Sequence, residues 1–378
     1  MEISILTGPS AIETLAAEWQ SLIEGSEAEV LASPRWYQSH LAAYPVKNVA
    51  LVCARDGGRL VGVLPFGRLR TDARGLYLPL VTPFAIADYQ PLAVDPLRAQ
   101  QILPPMLDAA IAHFGKPGVL WWPHIPAKDP ALPILRSCLE ERGMPLFEET
   151  EDAPRLAING RGYEEVEKGF SSSHRIDTRR QRKRLAERGP VTLWQPETLE
   201  EGFTVLDEFF EVHDEKWLAQ GYPGQFQSPA VRAHYRELLK RLWGGGIHFS
   251  TVRCGDTHVS YQFGFQSGGW FQWYRPSYRK EFHNFSPGKI HISLVLEDAC
   301  RRGMKGVDFL LGDEPYKLTW ANERQQVVSV WAGAGKNSPS YWWFSEGKPY
   351  LRKRFAGDLL RAKALVQKAK RRILGREG

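Results

Sequence analysis

The stretch Ser286–Trp320, SPGKIHISLVLEDACRRGMKGVDFLLGDEPYKLTW, predicts a helix followed by a short buried strand. Pro287 suits the first turn of a helix, where its missing N–H costs nothing, and Ser286 before it is a common capping residue. Apolar side chains then recur on one helical face, at Ile292, Val295, Leu296 and Ala299. The run 307–311, which is apolar except for Asp308, ends at Gly312 and predicts the strand. A helix that leads into a buried strand is typical of an α/β fold.

The start of this helix has the features of a site for an anion. Gly288 leaves room for a ligand near the backbone, and Lys289 adds a positive charge. Free N–H groups and the helix dipole favour a phosphate at such a terminus. Because polar side chains follow the strand at 313–317, the pattern predicts a transferase that holds a phosphorylated donor. A capped core helix beside a surface loop is the alternative that the pattern leaves open.

The composition is that of a globular protein. The chain has 378 residues, which suits two domains better than one. Hydrophobic residues make up 43% of it, and no run reaches the roughly 18–20 apolar residues of a membrane span. The first ten residues lack the basic region of a secretory signal, so we expect a cytoplasmic protein. The 4 cysteines are far apart and the histidines show no HxH or HxxxH spacing, so we expect neither disulfides nor a metal site.

Two stretches that lie 198 residues apart resemble each other: 51–67, LVCARDGGRLVGVLPFG, and 249–265, FSTVRCGDTHVSYQFGF. Each has the pattern of a strand, a tight turn with glycine and a second strand, which predicts a hairpin. The elements that follow share the order of strand, helix and strand. Their predicted bounds are 75–81, 89–94, 98–114 and 119–122 in the first half, and 270–274, 289–302 and 307–311 in the second. The same order found twice predicts duplicated α/β domains.

The turn-rich stretch Pro154–Gly162 separates the two halves. We therefore predict a first domain at 1–158, a second at 159–345 and a C-terminal helix at 346–378. Apolar residues recur in that helix at steps of three and four, and residues 341–378 contain 11 Lys/Arg against 3 Asp/Glu. Such a basic amphipathic helix can dock on its own domain, on a partner protein or on an anionic membrane surface. The last option would put the protein at the inner face of the membrane.

A second basic segment, 174–188, opens the second half and contains 7 Lys/Arg. Ile176 and Leu185 fall on opposite sides of a helix here, so the segment has no clean apolar stripe. One interpretation is a solvated surface helix. The other is an arginine surface for the phosphates of a cofactor, a nucleotide-linked substrate or RNA.

Several short motifs of the second half occur in a characteristic order: Arg175, Arg179-Arg180, Arg184-Leu185, Tyr274, Ser286-Pro287-Gly288, Asp308-Phe309, Gly312-Asp313-Glu314, Tyr316-Lys317 and Trp320. In these motifs the chain resembles the CelD/BcsL-type acetyltransferases of the GNAT superfamily, which are found with bacterial polysaccharide genes. That family is similar in turn to FemAB-type proteins. The resemblance covers about residues 165–345 and extends more loosely to the first half.

The resemblance implies tandem GNAT-like domains, each a mixed, mostly antiparallel sheet flanked by helices, of which the first is degenerate. It also implies that acetyl-CoA or another acyl-CoA binds the second domain, with its pyrophosphate at the helix that begins at Ser286. The residues expected to contact this donor, with no metal ion, are Tyr274, Ser286, Gly288 and Lys289. One departure concerns the usual pyrophosphate loop, Arg/Gln-x-x-Gly-x-Gly/Ala, because 283–288 is HNFSPG instead.

The implied chemistry is direct attack of an acceptor amine on an acyl thioester. Loss of the amine proton requires a base, for which Asp308, Asp313 and Glu314 are the candidates. Tyr316 is the candidate proton donor to the departing thiolate, as a tyrosine is in many GNAT enzymes. Asp308 has a second interpretation, in which it pairs with an arginine in the core.

Three basic residues, Arg175, Arg179 and Lys317, are candidates for binding negative groups of the substrates. The expected acceptor is an amino group of a small or sugar-linked metabolite. Two alternatives stay open: a FemAB-like transferase that uses aminoacyl-tRNA, and a non-catalytic accessory protein of polysaccharide biosynthesis. The sequence contains no Walker A, G-x-G-x-x-G or G-x-S-x-G motif, and we expect no DNA partner.

Overall fold

The computed structural model describes residues 1–46, 48–73, 76–115, 118–219, 221, 223–333, 335 and 339–347. The first half contains the strands β1 (Glu2–Thr7), β2 (Ala50–Asp56), β3 (Arg59–Ala73), β4 (Leu76–Pro83), β5 (Val119–Pro126) and β6 (Leu146–Ala157). Its helices are α1 (Ser10–Ile23), α2 (Glu29–Ala32), α3 (Pro34–Ala43), α4 (Ala99–Phe114) and α5 (Leu132–Glu141).

Two helices, α6 (Tyr163–Lys168) and α7 (Ser172–Ala186), connect the halves. The strands of the second half are β7 (Val191–Trp194), β8 (Ile247–Cys254), β9 (Thr257–Ser267), β10 (Trp270–Tyr278), β11 (Gly306–Asp308) and β12 (Glu323–Gly333). Its helices are α8 (Leu199–Ala219), α9 (Pro229–Leu242), α10 (Pro287–Arg301), α11 (Pro315–Trp320) and α12 (Pro339–Trp342). The predicted C-terminal helix lies outside the described residues, apart from its first two, Glu346 and Gly347.

The order of elements repeats, because β1–β6 and β7–β12 each contain a strand, two main helices, three strands, a helix, a strand, a helix and a strand. The two predicted hairpins are confirmed as β2–β3 and β8–β9, and the two predicted amphipathic helices as α4 and α10. The predicted strand 89–94 is wrong, since that segment contributes one isolated bridge, from Val94 to Gly62. The strand predicted at 307–311 ends at Asp308, and Leu310 then takes a left-handed conformation with φ 58°.

All twelve strands form one sheet in the order β1-β2-β3-β4-β5-β12-β6-β11-β10-β9-β8-β7. Pairing is antiparallel except at β4–β5 and β10–β11. The halves exchange their last strands: β12 pairs with β5 of the first half, and β6 pairs with β11 of the second. The predicted mixed, mostly antiparallel α/β fold is confirmed. The boundary at 158 stays a prediction, and the exchanged strands carry the sheet across it.

Helices cover the two faces of the sheet in different ways. On one, which we call the shared face, α1 and α3 of the first half pack with α8 and α9 of the second around a single apolar core. On the other, the outer face, α4 and α5 cover the first half while α10 and α6 cover the second. The halves are therefore joined by a common core as well as by the sheet. Among the described helices, none combines the length and apolar character that crossing a membrane requires.

Candidate functional site

The parallel pair β10–β11 separates after three residues. Trp270–Gln272 pairs with Gly306–Asp308, and β11 ends there, while β10 continues along β9 to Tyr278. A bulge between Gln272 and Arg275 bends β10 at the point of separation. A gap therefore opens between residues 273–278 and 309–314, and we call it the wedge. Ligands of open α/β sheets bind at such carboxyl ends of strands.

Helix α10 begins beside the wedge, and Pro287 takes its first position as predicted. Ser286 occupies the N-cap position, as predicted, but it has a left-handed backbone with φ 50° and its side chain makes no capping hydrogen bond. Its carbonyl instead accepts the N–H groups of Lys289 and Ile290 at 3.0 and 3.3 Å. A side chain added at Gly288 would meet nothing within 4 Å. The helix start is thus accessible, with fewer free backbone donors than the sequence predicts.

Lys289 extends from the first turn of α10 to helix α7. Its Nζ lies 2.5 Å from Asp177 Oδ2, and the two side chains line a cavity of about 680 Å³ on the outer face. The same cavity contacts His174, Trp320 and Asn322, so it lies between the connecting helices and α11. Lys289 therefore has a carboxylate partner in this structure, which a bound phosphate would have to displace.

The arginines of α7 are occupied by neighbouring groups. Arg175 donates to the carbonyl oxygens of Lys168 and Phe170 at 3.1 and 2.6 Å, which closes the end of α6. Arg179 pairs with Glu167, although 69% of its side chain is exposed. Arg182 likewise pairs with Glu297 of α10. These contacts favour a packed surface helix over a free arginine surface, and they place Arg175 and Arg179 away from the wedge residues.

Asp308 is fully buried on the shared face. It accepts hydrogen bonds from Arg155 Nε at 2.9 Å, from Tyr89 Oη at 3.0 Å and from the Leu310 N–H at 2.8 Å. Arg155 also donates to Glu27 at 2.8 Å and lies 4.5 Å above the ring of Trp270. The geometry agrees with the second interpretation of Asp308, a carboxylate paired in the core. Both of its oxygens already accept hydrogen bonds and the residue is 0% exposed, so its predicted role as the base would require these donors to move.

Glu314 and Lys317 form a pair at the end of the wedge. Lys317 Nζ lies 2.8 Å from Glu314 Oε2 and donates to the Leu311 carbonyl at 2.5 Å. The hydrogen bond and charge of Lys317 hold the pKa of Glu314 below its usual range, against the effect of burial. Because 55% of the Glu314 side chain is exposed while Lys317 is buried, only the carboxylate of this pair faces solvent.

Tyr316 and Tyr274 lie on opposite sides of the wedge. Tyr316 is 39% exposed; burial of its hydroxyl and the charge of Glu314 raise its pKa, so the phenol stays protonated and able to donate. Tyr274 lies on the shared face, where its ring centre is 5.1 Å from that of Phe265 and 6.3 Å from that of Tyr235. The predicted donor contacts are therefore divided between the two faces of the sheet.

Asp88 lies at the wedge, beside Leu311, and the sequence analysis did not predict it. It belongs to the segment between β4 and α4, and its carboxylate accepts the backbone N–H of Leu311. Burial raises its pKa, while the charges of Arg275, His124 and Lys317 oppose this shift. No local signal could have found it, since Asp88 meets residues more than 180 positions away, and the pattern around it was predicted as a strand.

Comparison with known proteins agrees with this geometry. Residues 172–318, which include the wedge and α10, match the family model described as an acetyltransferase (GNAT) domain. Among curated proteins none matches. The crystal structure of FemX aligns with a TM-score of 0.62 at 12% identity, over 92% of this chain and 100% of that one. The C-terminal domain of a putative lysylphosphatidylglycerol synthetase from Agrobacterium fabrum aligns at 0.53 and 8% identity, over 88% and 95%. At such identities these two structures share the fold alone.

Proposed function

We propose that this chain is an N-acyltransferase that moves an acyl group, acetyl in the first instance, from acyl-CoA to an amino group of a small or sugar-linked acceptor. The observation that carries the proposal is the separation of β10 from β11 beside the accessible start of α10, within the region that matches a GNAT domain. The CelD/BcsL type and a place in polysaccharide biosynthesis belong to the same proposal.

The donor approaches from the outer face. Its pyrophosphate lies at the start of α10, where the helix dipole, Gly288 and Lys289 favour an anion. The pantetheine arm enters the wedge and brings the thioester to the bulge of β10. Lys289 exchanges Asp177 for the phosphate, so donor binding also loosens the contact between α10 and α7.

The acceptor approaches from the shared face, and its nitrogen attacks the thioester carbon. The amine proton passes to a carboxylate, directly or through water, and the C–S bond breaks as the tetrahedral intermediate collapses. Asp88 suits this base better than Glu314, because burial raises the pKa of Asp88 whereas Lys317 lowers that of Glu314. The hydroxyl of Tyr316 protonates the departing thiolate.

Transfer from aminoacyl-tRNA is the alternative, together with a non-catalytic accessory role. The salt bridges of Arg179, Arg180 and Arg182 make α7 a weaker site for tRNA phosphates than its composition indicates. Salt-dependent binding of tRNA without any binding of CoA would favour the first alternative. Failure to bind either ligand would favour the second.

The test is a melting-temperature screen against CoA, acetyl-CoA, longer acyl-CoAs and nucleotide sugars, followed by kinetics with the ligand that stabilises. We expect Tyr316→Phe to lower kcat by about 100-fold with an unchanged melting temperature. The half-exposed Tyr44 provides a matched control, Tyr44→Phe, that leaves kcat intact. Unchanged kcat in both Tyr316→Phe and Glu314→Gln would remove the assignment of these two residues.

A further inference from the structure

Basic and polar side chains from α8 and β10 gather on the shared face next to the wedge. We call this group the cationic cleft: His213 and Lys216 of α8, with Arg275 and Ser277 of β10. Burial lowers the pKa of His213 to about 4, and the nearby charges of Arg275 and Lys216 act in the same direction. Arg275 and Ser277 stand opposite Phe263 and Tyr261 of β9 and therefore project from the same face of the sheet.

Among the described residues, neither cation of the cleft has a carboxylate within salt-bridge distance, and Asp88 acts on Arg275 through its charge alone. In the described part of the chain neither Lys216 nor Arg275 forms a salt bridge, in contrast to Arg179, Arg180 and Arg182 of α7. Since partial burial of an unpaired cation costs free energy, an arrangement of two of them is typical of a site that a ligand neutralises.

The side chains of both cations are held in place by aromatic rings. Arg275 lies 4.5 Å above the ring of Tyr274 and donates from Nε to the hydroxyl of Tyr235 at 3.2 Å. Lys216 Nζ lies 5.0 Å from the ring centre of Tyr278. A guanidinium fixed by a ring and a hydroxyl keeps its remaining N–H groups oriented, which favours binding of a phosphate or carboxylate.

One neutral polar group of the cleft is buried and has no partner. Trp217 Nε1 donates to Nε2 of His213 at 3.2 Å, so the proton of this neutral imidazole is on Nδ1. That nitrogen lies 3.6 Å from Asp214 Oδ1, so a carboxylate of the same helix already faces it. The hydroxyl of Ser277, by contrast, has no hydrogen-bond partner in the described structure, and this residue is 2% exposed. Buried polar groups are normally satisfied, so this hydroxyl indicates a missing partner.

We propose that the cationic cleft binds an oxyanion group, phosphate or carboxylate, carried by the acceptor. That this anion belongs to the acceptor rests on the proposed acyl transfer, whereas the anion site itself rests only on the side chains of the cleft. Arg275 also connects the cleft to Asp88, because the charges of these two residues interact. An acceptor whose anion contacts Lys216 and Arg275 would therefore direct its amine to Asp88 and the wedge. The substrate class is an amine that also carries an anionic group.

The test begins with titration calorimetry of the full-length protein at low ionic strength, with inorganic phosphate and separately with acetate. We expect phosphate or acetate to bind, and Lys216→Met to weaken that binding about tenfold or more. The exposed Lys280 after β10 supplies the matched control, Lys280→Met, which leaves the affinity unchanged. The ion with the greater affinity identifies the group that the acceptor carries.

A third variant separates this site from the start of α10, which also favours anions. Binding that survives in Gly288→Asp and is weakened in Lys216→Met supports the proposal. Binding that Gly288→Asp abolishes and Lys216→Met leaves intact overturns it, and so does the absence of binding at millimolar concentrations of both ions.

Kinetics provide the second measurement when acyl-CoA is a donor. Glucosamine and glucosamine 6-phosphate differ by one phosphate, so the cleft predicts a lower KM for the phosphorylated amine. Lys216→Met should raise that KM about tenfold, whereas the control Lys280→Met should leave it unchanged. If acyl-CoA fails to bind, the acyl-transfer proposal falls and the calorimetry alone decides the anion site.

Discussion

The two halves share one order of elements but differ in the connection between their fourth strand and the next helix. In the second half this connection is residues 279–286, and β10 runs along β9 as far as Ser260. In the first half β4 stops opposite Phe66, and residues 84–98 follow it. These residues bond back to both neighbouring strands, with Val63 N–H to Ala93 carbonyl at 2.8 Å and Gln90 N–H to His124 carbonyl at 2.9 Å.

In the first half, residues 84–98 therefore occupy the position between β3 and β5 that corresponds to the wedge of the second half. The filling segment then acts in the other half, because it brings Asp88 to Leu311 and Tyr89 to Asp308. The comparison teaches that the same connection in two halves of a repeated order of elements can occupy the gap in one half and contact the gap in the other. A degenerate first half, which the resemblance implied, would in this view support the second half's site.

Because the halves exchange strands, separating them should have the largest effect on folding. Residues 159–378 expressed alone should fail to fold, because β12 would lose both of its neighbours, β5 and β6, and β11 would lose β6. Circular dichroism and proton NMR of the fragment measure this. Co-expression of 1–158 with 159–378 is the control and should restore a folded complex. A folded fragment 159–378 would show that the halves are independent.

The buried pair Asp308–Arg155, which joins the halves, should have the next largest effect, on the free energy of unfolding. Asp308→Asn leaves Arg155 without its buried counter-charge, so we expect the free energy of unfolding to fall by about 3–5 kcal/mol. Chemical denaturation measures it. The exposed pair Arg324–Asp152 is the control, since Asp152→Asn should cost less than about 1 kcal/mol. Equal costs for the two variants would contradict the assigned role of Asp308.

A carboxylate placed at the start of α10 should weaken CoA binding, whereas a carboxylate at the corresponding helix of the first half should not. Gly288→Asp puts a negative charge where the donor pyrophosphate is proposed, and we expect the Kd for CoA to rise about tenfold or more. The variant should fold, because a side chain there meets nothing within 4 Å. Gln101→Asp, in the first turn of α4, is the matched change in the filled half. Equal effects of the two variants on CoA binding would remove the distinction.

Buried histidines should make the second half sensitive to acid. Burial lowers the pKa of His248 to about 4 and that of His291 to about 3, whereas unfolded histidine titrates near 6.5. Between these values the unfolded chain binds more protons, so stability is fully present above about pH 6.5 and is lost as the pH falls. Each histidine contributes up to about 1.4 kcal/mol per pH unit.

Denaturation curves of His291→Asn between pH 4 and 6.5 should therefore show a smaller slope of stability against pH than the unchanged protein. The exposed His113 offers the comparison, since His113→Gln should leave the slope as it is. An identical slope in both variants would contradict the assignment of this acid sensitivity to the buried ring.

Much of the fold could be predicted because local periodicity specifies it. The hairpins have alternating patterns around glycine turns, and α4 and α10 have apolar stripes, so both repeats were visible in the sequence. The segment after β4 was mistaken for a strand, since its apolar residues pack on the shared core without forming a ladder. No local pattern in the sequence predicts the strand exchange, because the partners of β12 are more than 160 residues away from it.

The residues of the candidate site likewise divide into those that the sequence predicts and those that only the folded structure brings together. Gly288, Lys289, Glu314 and Tyr316 stood in one contiguous stretch, so their motifs pointed to one place, although the roles of these residues stay predictions. Asp88, Lys216 and Arg275 come from three separate elements that meet only in the folded sheet. Their signal is the environment of each side chain, its burial and missing partners, which no spacing in the sequence encodes.

The position of β12 has a consequence for biosynthesis. A ribosome must have released the chain as far as Gly333 before the gap between β5 and β6 can be closed. Until then two central strands expose unpaired edges, and such edges invite association between nascent chains. A long-range closure of this kind is also slow, since chain ends far apart in sequence must first meet. We expect the yield of this protein in cells to depend on chaperones that shield those edges during translation.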